Sequence, residues 1–146
     1  MLSFATHRPE KVVYTRCGLL SKVAGVFDPL GLATPFTIQA KIRLKVLSLG
    51  GLHWDEAIPN QEHAWWRNWL ERLPQLNDMD LPRCLFPDGD DIVTSQLHTF
   101  ADASEEAFAA AVYIRIVYRR GKVMTRLMMV KAKQVPQKTL SGRQPS

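Results

Sequence analysis

Asp102 is the residue in this 146-residue sequence whose type and setting most readily suggest chemistry. It follows a run of β-compatible residues, Leu97–Ala101, and precedes Ala103 and Ser104, which are typical of a tight turn. A carboxylate at the end of a buried strand is costly unless a cation or hydrogen-bond donors lie beside it. Asp102 is therefore either a metal ligand or a turn residue that caps the following backbone, and the residues alone leave both interpretations open.

Positive charge is concentrated in the last third of the chain. Residues 1–95 hold ten Lys and Arg against eleven Asp and Glu, a net charge of −1, whereas residues 96–146 hold nine against three, a net charge of +6. Such a basic segment could follow a phosphate backbone. It could equally be a solvated hairpin whose cations keep a strand edge from pairing. The candidate nucleic-acid-binding cations are Arg115, Arg119, Arg120, Lys122, Lys131 and Lys133.

Three strands are predicted to position these residues. Side chains alternate from Phe108 to Tyr118, with the more apolar face formed by the even-numbered positions. Gly121 supplies the positive φ of a hairpin turn over Arg119–Lys122, and Val123–Lys133 forms the return strand. The strand ending at Asp102 and this hairpin make an antiparallel three-stranded meander, and without helices to cover it the sheet is expected to expose an apolar face.

Helices are predicted to fill the first half of the chain. Apolar spacing predicts a short helix over Cys17–Phe27, stopped by Asp28–Gly31. Thr34 is expected to cap a helix that runs to Leu49, and a third helix runs from about Asn60 to Leu73 with tryptophans in its apolar stripe. Because helices precede strands, the predicted fold class is α+β, with a helical segment over residues 1–95 and a sheet domain over residues 96–146.

Several protein classes are not indicated. Cys17 and Cys84 lack zinc-ligand spacing, and the sequence has no Cys-x-x-Cys motif. The N-terminus lacks the apolar core of a signal peptide, and no apolar run approaches the length of a spanning helix. We therefore expect an intracellular protein, cytoplasmic or nuclear, without a membrane partner.

The sequence resembles the polyproteins of BEL/Pao-type LTR retrotransposons. The run LHTFADASEEAFAAAVYIR, followed by LMMVKAKQVPQKTLS, is similar to the start of their RNase H region. Upstream, FDPLG with its following helix, HWDEAIP, WWRNWLERL and LPRCL are similar to the block that joins reverse transcriptase to RNase H. This block is often labelled a Pao retrotransposon peptidase, but Asp102–Ser104 lacks the glycine of an aspartic protease motif. The resemblance covers roughly Leu19 to Ser141.

The resemblance implies that Asp102 is the first metal ligand of an RNase H-type nuclease, which binds two Mg²⁺ ions through several carboxylates. It implies that Ser104 either contacts the nucleic-acid backbone or forms the turn, and that the lysine-rich third strand leads into a helix. The implied partners are an RNA–DNA hybrid, or other nucleic acid, and the remaining parts of the Pol polyprotein.

One departure from the family concerns the end of the sequence. The glutamate expected at the start of the next helix has no counterpart in Lys138–Ser146. The sheet domain is therefore interpreted as an incomplete, truncated RNase H-like domain that does not cleave hybrids by itself. The alternative is a non-catalytic product, either a decayed element or an interaction module that uses the tryptophan helix and the basic hairpin.

Overall fold

The fold, taken from a computed structural model, is described here for residues 11–80 and 91–136. Helices come first and strands second, and the strands form one antiparallel sheet in the order β1-β2-β3, so the α+β meander predicted from the sequence is confirmed. The elements are α1 (Arg16–Ala24), α2 (Thr34–Leu49), α3 (Asn60–Arg72), a 3₁₀ helix (Leu73–Asp78), β1 (Ile92–Ala103), β2 (Ala107–Tyr118) and β3 (Val123–Gln134). Cys84 and the segment Lys138–Ser146 lie outside the described residues.

The start of α2 differs from the sequence-based expectation. Thr34 is the first helical residue rather than its cap. The helix has no side-chain cap, and its N-cap residue is Ala33. The carboxylate of Asp28 instead accepts hydrogen bonds from the backbone N–H groups of Leu32 at 2.8 Å and Ala33 at 2.7 Å, in the turn just before the helix. A charged acceptor makes a stronger hydrogen bond to these N–H groups than a hydroxyl would. The aspartate of the FDPLG run is therefore a structural residue.

The helices share one buried cluster with tryptophans at its centre. Trp66 is fully buried, Trp69 is 4% exposed, and their rings meet edge to face at 5.9 Å. Trp69 also stacks on Phe36, with ring centroids 4.9 Å apart. The expectation of tryptophan core anchors on this helix is confirmed for Trp69, but the second anchor is Trp66 rather than the expected Trp65, which is half-buried.

The sheet has a separate, smaller cluster beside its hairpin turn. Ile114, Ile116 and Tyr118 are buried on one face of β2, with Met124 and Met128 packed against them. Farther from the turn the same face is open, since Phe108 of β2 is 43% exposed. The face is also open along β1, where Leu97, which pairs with Ile114, is 69% exposed. The expected exposure of apolar sheet surface is thus confirmed for this half of the face.

Helices and sheet meet along the outer edge of β3. The N–H of Val130 donates to the carbonyl of Leu30 at 2.9 Å, and Nζ of Lys45 on α2 donates to the carbonyl of Val135. The FDPLG run therefore both starts α2 and attaches it to the sheet. β1 begins at Ile92, and the proposed division between residues 95 and 96 stays a prediction.

None of the helices in residues 11–80 and 91–136 is both long and apolar enough to cross a bilayer.

Candidate nucleic-acid and metal-binding residues of the sheet

Asp102 lies in the second-to-last position of β1, which is an edge strand of the described sheet. Its Oδ1 accepts a hydrogen bond from the N–H of Ala103 at 2.8 Å, and the residue is exposed. The premise that this strand is buried is wrong, because every residue of β1 is exposed. The hydrogen bond to Ala103 is the local capping contact that one interpretation expected, and it leaves Oδ2 of the same carboxylate available for other ligands.

The described residues alone do not form a complete metal site. No group of three or more His, Cys, Asp or Glu side chains in residues 11–80 and 91–136 could hold a metal ion. A two-cation nuclease site needs several converging carboxylates. Asp102 could supply one of these, and the others would have to come from outside the described parts of the chain.

Lys131 and Lys133 lie at the same end of the sheet as Asp102 but on the opposite face. Residues that are paired across neighbouring strands share a face, and successive residues alternate. Asp102 pairs through Ala109 with Ala132, whereas Lys131 pairs with Ala110 and Lys133 with Phe108. The two lysines therefore share a face with each other and not with the Asp102 carboxylate.

A groove of about 740 Å³ occupies the lysine face at this end of the sheet. Lys131 and Lys133 line it together with Phe108, Ala101 and Ala110, and Asp102 is also one of its lining residues. Two cations beside an apolar floor suit a ligand that has both phosphates and flat or apolar surface, as a nucleic-acid strand does.

Ser104 lies in the turn between β1 and β2, where its hydroxyl is engaged locally. Oγ donates to the carbonyl of Ala107 at 3.0 Å and accepts from the N–H groups of Ala107 at 3.2 Å and Glu106 at 3.3 Å. These contacts match the turn-forming alternative for Ser104. Its contact with a nucleic-acid backbone stays a prediction.

The remaining predicted cations lie farther along the sheet. Arg119 and Arg120 are exposed at the β2–β3 turn, as is Lys122, and Nε of Arg119 is 3.5 Å from Oδ2 of Asp91. Arg115 donates to Oε1 of Gln96 at 3.3 Å. At about 3.3 Å per residue, the turn lies about 30 Å from the level of Asp102. The predicted set therefore forms two groups, one at each end of the sheet.

Phe108 is the groove residue that the sequence analysis did not identify as a candidate for binding. The alternation along β2 assigns it to the same apolar face as Ile114, and the structure agrees, but that face is covered only near the turn. Its pairing with Lys133 would have been the useful signal, since an aromatic ring beside a lysine on an uncovered face suits nucleic acid. That pairing depends on register, which the sequence pattern alone does not give.

Comparison with known proteins identifies the family. The family model described as the Pao retrotransposon-like RNaseH-like domain matches residues 15–142. No curated protein and no solved structure matches the chain significantly. The matched range contains the FDPLG run, the helical core and all three strands, including Asp102 and the lysine groove. The chain belongs to the Pao retrotransposon-like RNaseH-like domain family.

Proposed function

We propose that this chain is the part of a retrotransposon Pol polyprotein that links reverse transcriptase to RNase H and contributes nucleic-acid-binding surface to the nuclease. The groove that holds Lys131 and Lys133 carries the proposal, because it places two exposed cations beside Phe108 within the family's RNase H-like region. The hairpin cations Arg119, Arg120 and Lys122 provide a second contact with the phosphate backbone, about 30 Å away. A nucleic-acid duplex that spans both groups contacts the two ends of the sheet at once.

We propose further that Asp102 is one of several carboxylates that bind Mg²⁺ in the complete nuclease site. Its exposed position at the tip of β1, with one carboxylate oxygen outside the local hydrogen bond, supports that role. Since residues 11–80 and 91–136 contain no group of three or more possible metal ligands, we expect these parts of the chain alone to bind nucleic acid rather than to cleave it.

Binding of an RNA–DNA hybrid is expected to weaken steeply with salt. If Lys131 and Lys133 each neutralise one phosphate, these two contacts should account for about a tenfold fall in the association constant between 50 and 200 mM monovalent salt, because bound cations are displaced from the duplex. Fluorescence anisotropy with a labelled hybrid measures this dependence. Lys131→Gln combined with Lys133→Gln should flatten the slope and weaken binding.

Lys41→Gln combined with Arg67→Gln is the matched control for charge. These two exposed cations lie on α2 and α3, so the control removes the same net charge away from the sheet. Equal weakening by both double variants would show that only overall charge matters and would remove the groove from the proposal. Arg119→Gln with Arg120→Gln tests the hairpin group in the same assay.

Asp102→Asn is expected to affect hybrid binding in opposite directions with and without Mg²⁺. Without divalent cations the variant should bind the hybrid a fewfold more tightly, because a negative charge near the phosphates is removed. With Mg²⁺ the wild type should recover or exceed the affinity of the variant, since a Mg²⁺ ion held by the Asp102 carboxylate would offset its repulsion of the phosphates.

Glu105→Gln is the control for this measurement, because Glu105 is an exposed carboxylate three residues from Asp102. Without Mg²⁺, Glu105→Gln should bind the hybrid more tightly than the wild type does. Addition of Mg²⁺ should not reverse that order. A response of Asp102→Asn identical to that of Glu105→Gln would leave Asp102 with the turn-capping role only.

A further inference from the structure

A lysine joins the C-terminal half of α2 to the end of β3. Lys45 is half-buried, and its ammonium donates a hydrogen bond to the backbone carbonyl of Val135, 90 residues later in the chain. Lys41, one turn earlier on the same helix, is exposed. An ammonium group makes a stronger hydrogen bond to a carbonyl than a neutral donor does. Lys45 is therefore a specific attachment between helix and strand, whereas Lys41 is a solvated surface residue.

Val135 is also bonded to the turn that follows Asp102. Its N–H donates to the carbonyl of Glu106 at 2.9 Å. Glu106 lies in the β1–β2 turn, where its own N–H donates to Oγ of Ser104 at 3.3 Å. Val135 is followed by Pro136, whose ring favours an extended backbone at the residue before it. Val135 therefore connects α2, through its carbonyl, with the β1–β2 turn, through its N–H.

A groove of about 380 Å³ lies between α2 and the β1–β2 turn. Its lining includes Ile42, Arg43 and Val46 of α2 together with Glu106 of the turn. Side chains that are separated by a groove cannot hold two elements at a fixed distance by close packing. The hydrogen bonds through Val135 therefore help to set the position of the turn relative to the helix.

We infer that Lys45 is a positioning residue for the carboxylate of Asp102 and acts through Val135 and the β1–β2 turn. This inference rests on the proposed binding of Mg²⁺ by Asp102. The N–H of Ala103, where β1 enters the turn, donates to Oδ1 of Asp102 at 2.8 Å, so a shift of the turn also shifts the carboxylate. A metal ligand has to be held within about 0.5 Å of its productive position. The helical segment thereby controls the geometry of the proposed ligand.

Hydrogen exchange of the full chain tests the connection from α2 to the turn. Lys45→Met keeps the apolar stem but removes the donor, so the N–H groups of Val135 and Ser104 should exchange about tenfold faster. The N–H of Val130, which donates to Leu30 at 2.9 Å, should keep its protection. Lys45→Arg retains a cationic donor and should restore slow exchange. Unchanged exchange at Val135 and Ser104, or equal loss of protection at Val130, would overturn the inference.

Hybrid binding at increasing Mg²⁺ concentration tests the effect on Asp102. The measured quantity is the Mg²⁺-dependent gain in hybrid affinity relative to Asp102→Asn. In Lys45→Met the Mg²⁺ concentration that gives half of this gain should rise about tenfold, because the ligand is no longer held in place. Lys45→Arg should recover the wild-type concentration.

Lys41→Met is the matched control for this titration, because it removes the same charge from an exposed position of α2 and should leave the concentration unchanged. If the wild type showed the gain and Lys45→Met required no more Mg²⁺ than Lys41→Met, Lys45 would not position Asp102, and the metal role of Asp102 would stand. If the wild type showed no gain over Asp102→Asn, the metal role would be wrong, and the positioning role would be lost with it.

Discussion

Gly31→Ala is expected to lower the free energy of unfolding by about 3 kcal/mol or more. Two independent features of the site require glycine. Its φ of +73° lies in the left-handed region, which an alanine adopts only with strain. A Cβ at this position would also lie 1.7 Å from the carbonyl oxygen of Val130. That carbonyl belongs to β3, so relief of the clash requires the loop and the sheet to move apart.

The resulting displacement should be visible locally. The N–H of Val130 donates to the carbonyl of Leu30, the residue before Gly31. If Gly31→Ala pushes the FDPLG run away from β3, this amide should lose its protection from hydrogen exchange. Amides in the centre of α3 should keep theirs, because the tryptophan cluster does not include this contact.

Gly51→Ala separates the two causes. Gly51 has a φ of +87°, but nothing lies within 4 Å of the position of an added Cβ. Its substitution should therefore cost about 1 kcal/mol, from backbone strain alone. Urea denaturation of the two variants, followed by circular dichroism, gives the comparison. If Gly31→Ala and Gly51→Ala lowered the free energy of unfolding equally, the clash with Val130 would contribute nothing to the cost at Gly31. Other contacts would then attach the helices to the sheet.

Gly31 also illustrates which contacts of the fold cannot be predicted from local sequence patterns. Apolar periodicity, with proline and glycine as boundaries, predicted the three helices, and alternation with Gly121 predicted the hairpin. These signals are local, and the structure confirms them to within a few residues. The FDPLG run was interpreted only as a helix stop. The hydrogen bonds that Asp28 accepts from Leu32 and Ala33 are local but were not expected. The contact of Gly31 with β3 depends on a strand about 100 residues later, which no local pattern indicates.

The candidate site was only partly predictable for a similar reason. β2 and β3 pair regularly from their turn as far as Tyr113, which lies opposite Leu127. If this regular pairing continued, Lys131 would lie opposite Ala109, on the same face of the sheet as Asp102. A β-bulge intervenes, because the next pair is Val112 with Met129. One extra residue reverses the face of everything beyond it. Lys131 and Lys133 therefore lie on the opposite face of the sheet from the carboxylate of Asp102.

Trp66→Ala is expected to lower the free energy of unfolding by about 3–5 kcal/mol. Trp66 is fully buried, and its ring meets Trp65 at 5.0 Å and Trp69 at 5.9 Å, both edge to face. Removing the indole leaves a cavity at the centre of the helical cluster, with two aromatic neighbours that cannot collapse into it without losing their own packing. Trp54→Ala is the matched control. Because Trp54 is 47% exposed, this substitution should lower the free energy of unfolding by about 1 kcal/mol.

Phenylalanine substitutions show whether packing or hydrogen bonding dominates in this cluster. Nε1 of Trp66 is buried and has no hydrogen-bond partner in the described structure, whereas Nε1 of Trp69 donates to the carbonyl of Phe36 at 3.2 Å. Trp66→Phe therefore loses volume but no hydrogen bond, and Trp69→Phe loses volume and the hydrogen bond from its indole to the Phe36 carbonyl. We expect Trp69→Phe to cost about 1 kcal/mol more than Trp66→Phe, although Trp66 is the more deeply buried ring. Thermal and urea unfolding followed at 222 nm measure both variants, and the reverse order would show that the volume lost at Trp66 outweighs the hydrogen bond at Trp69.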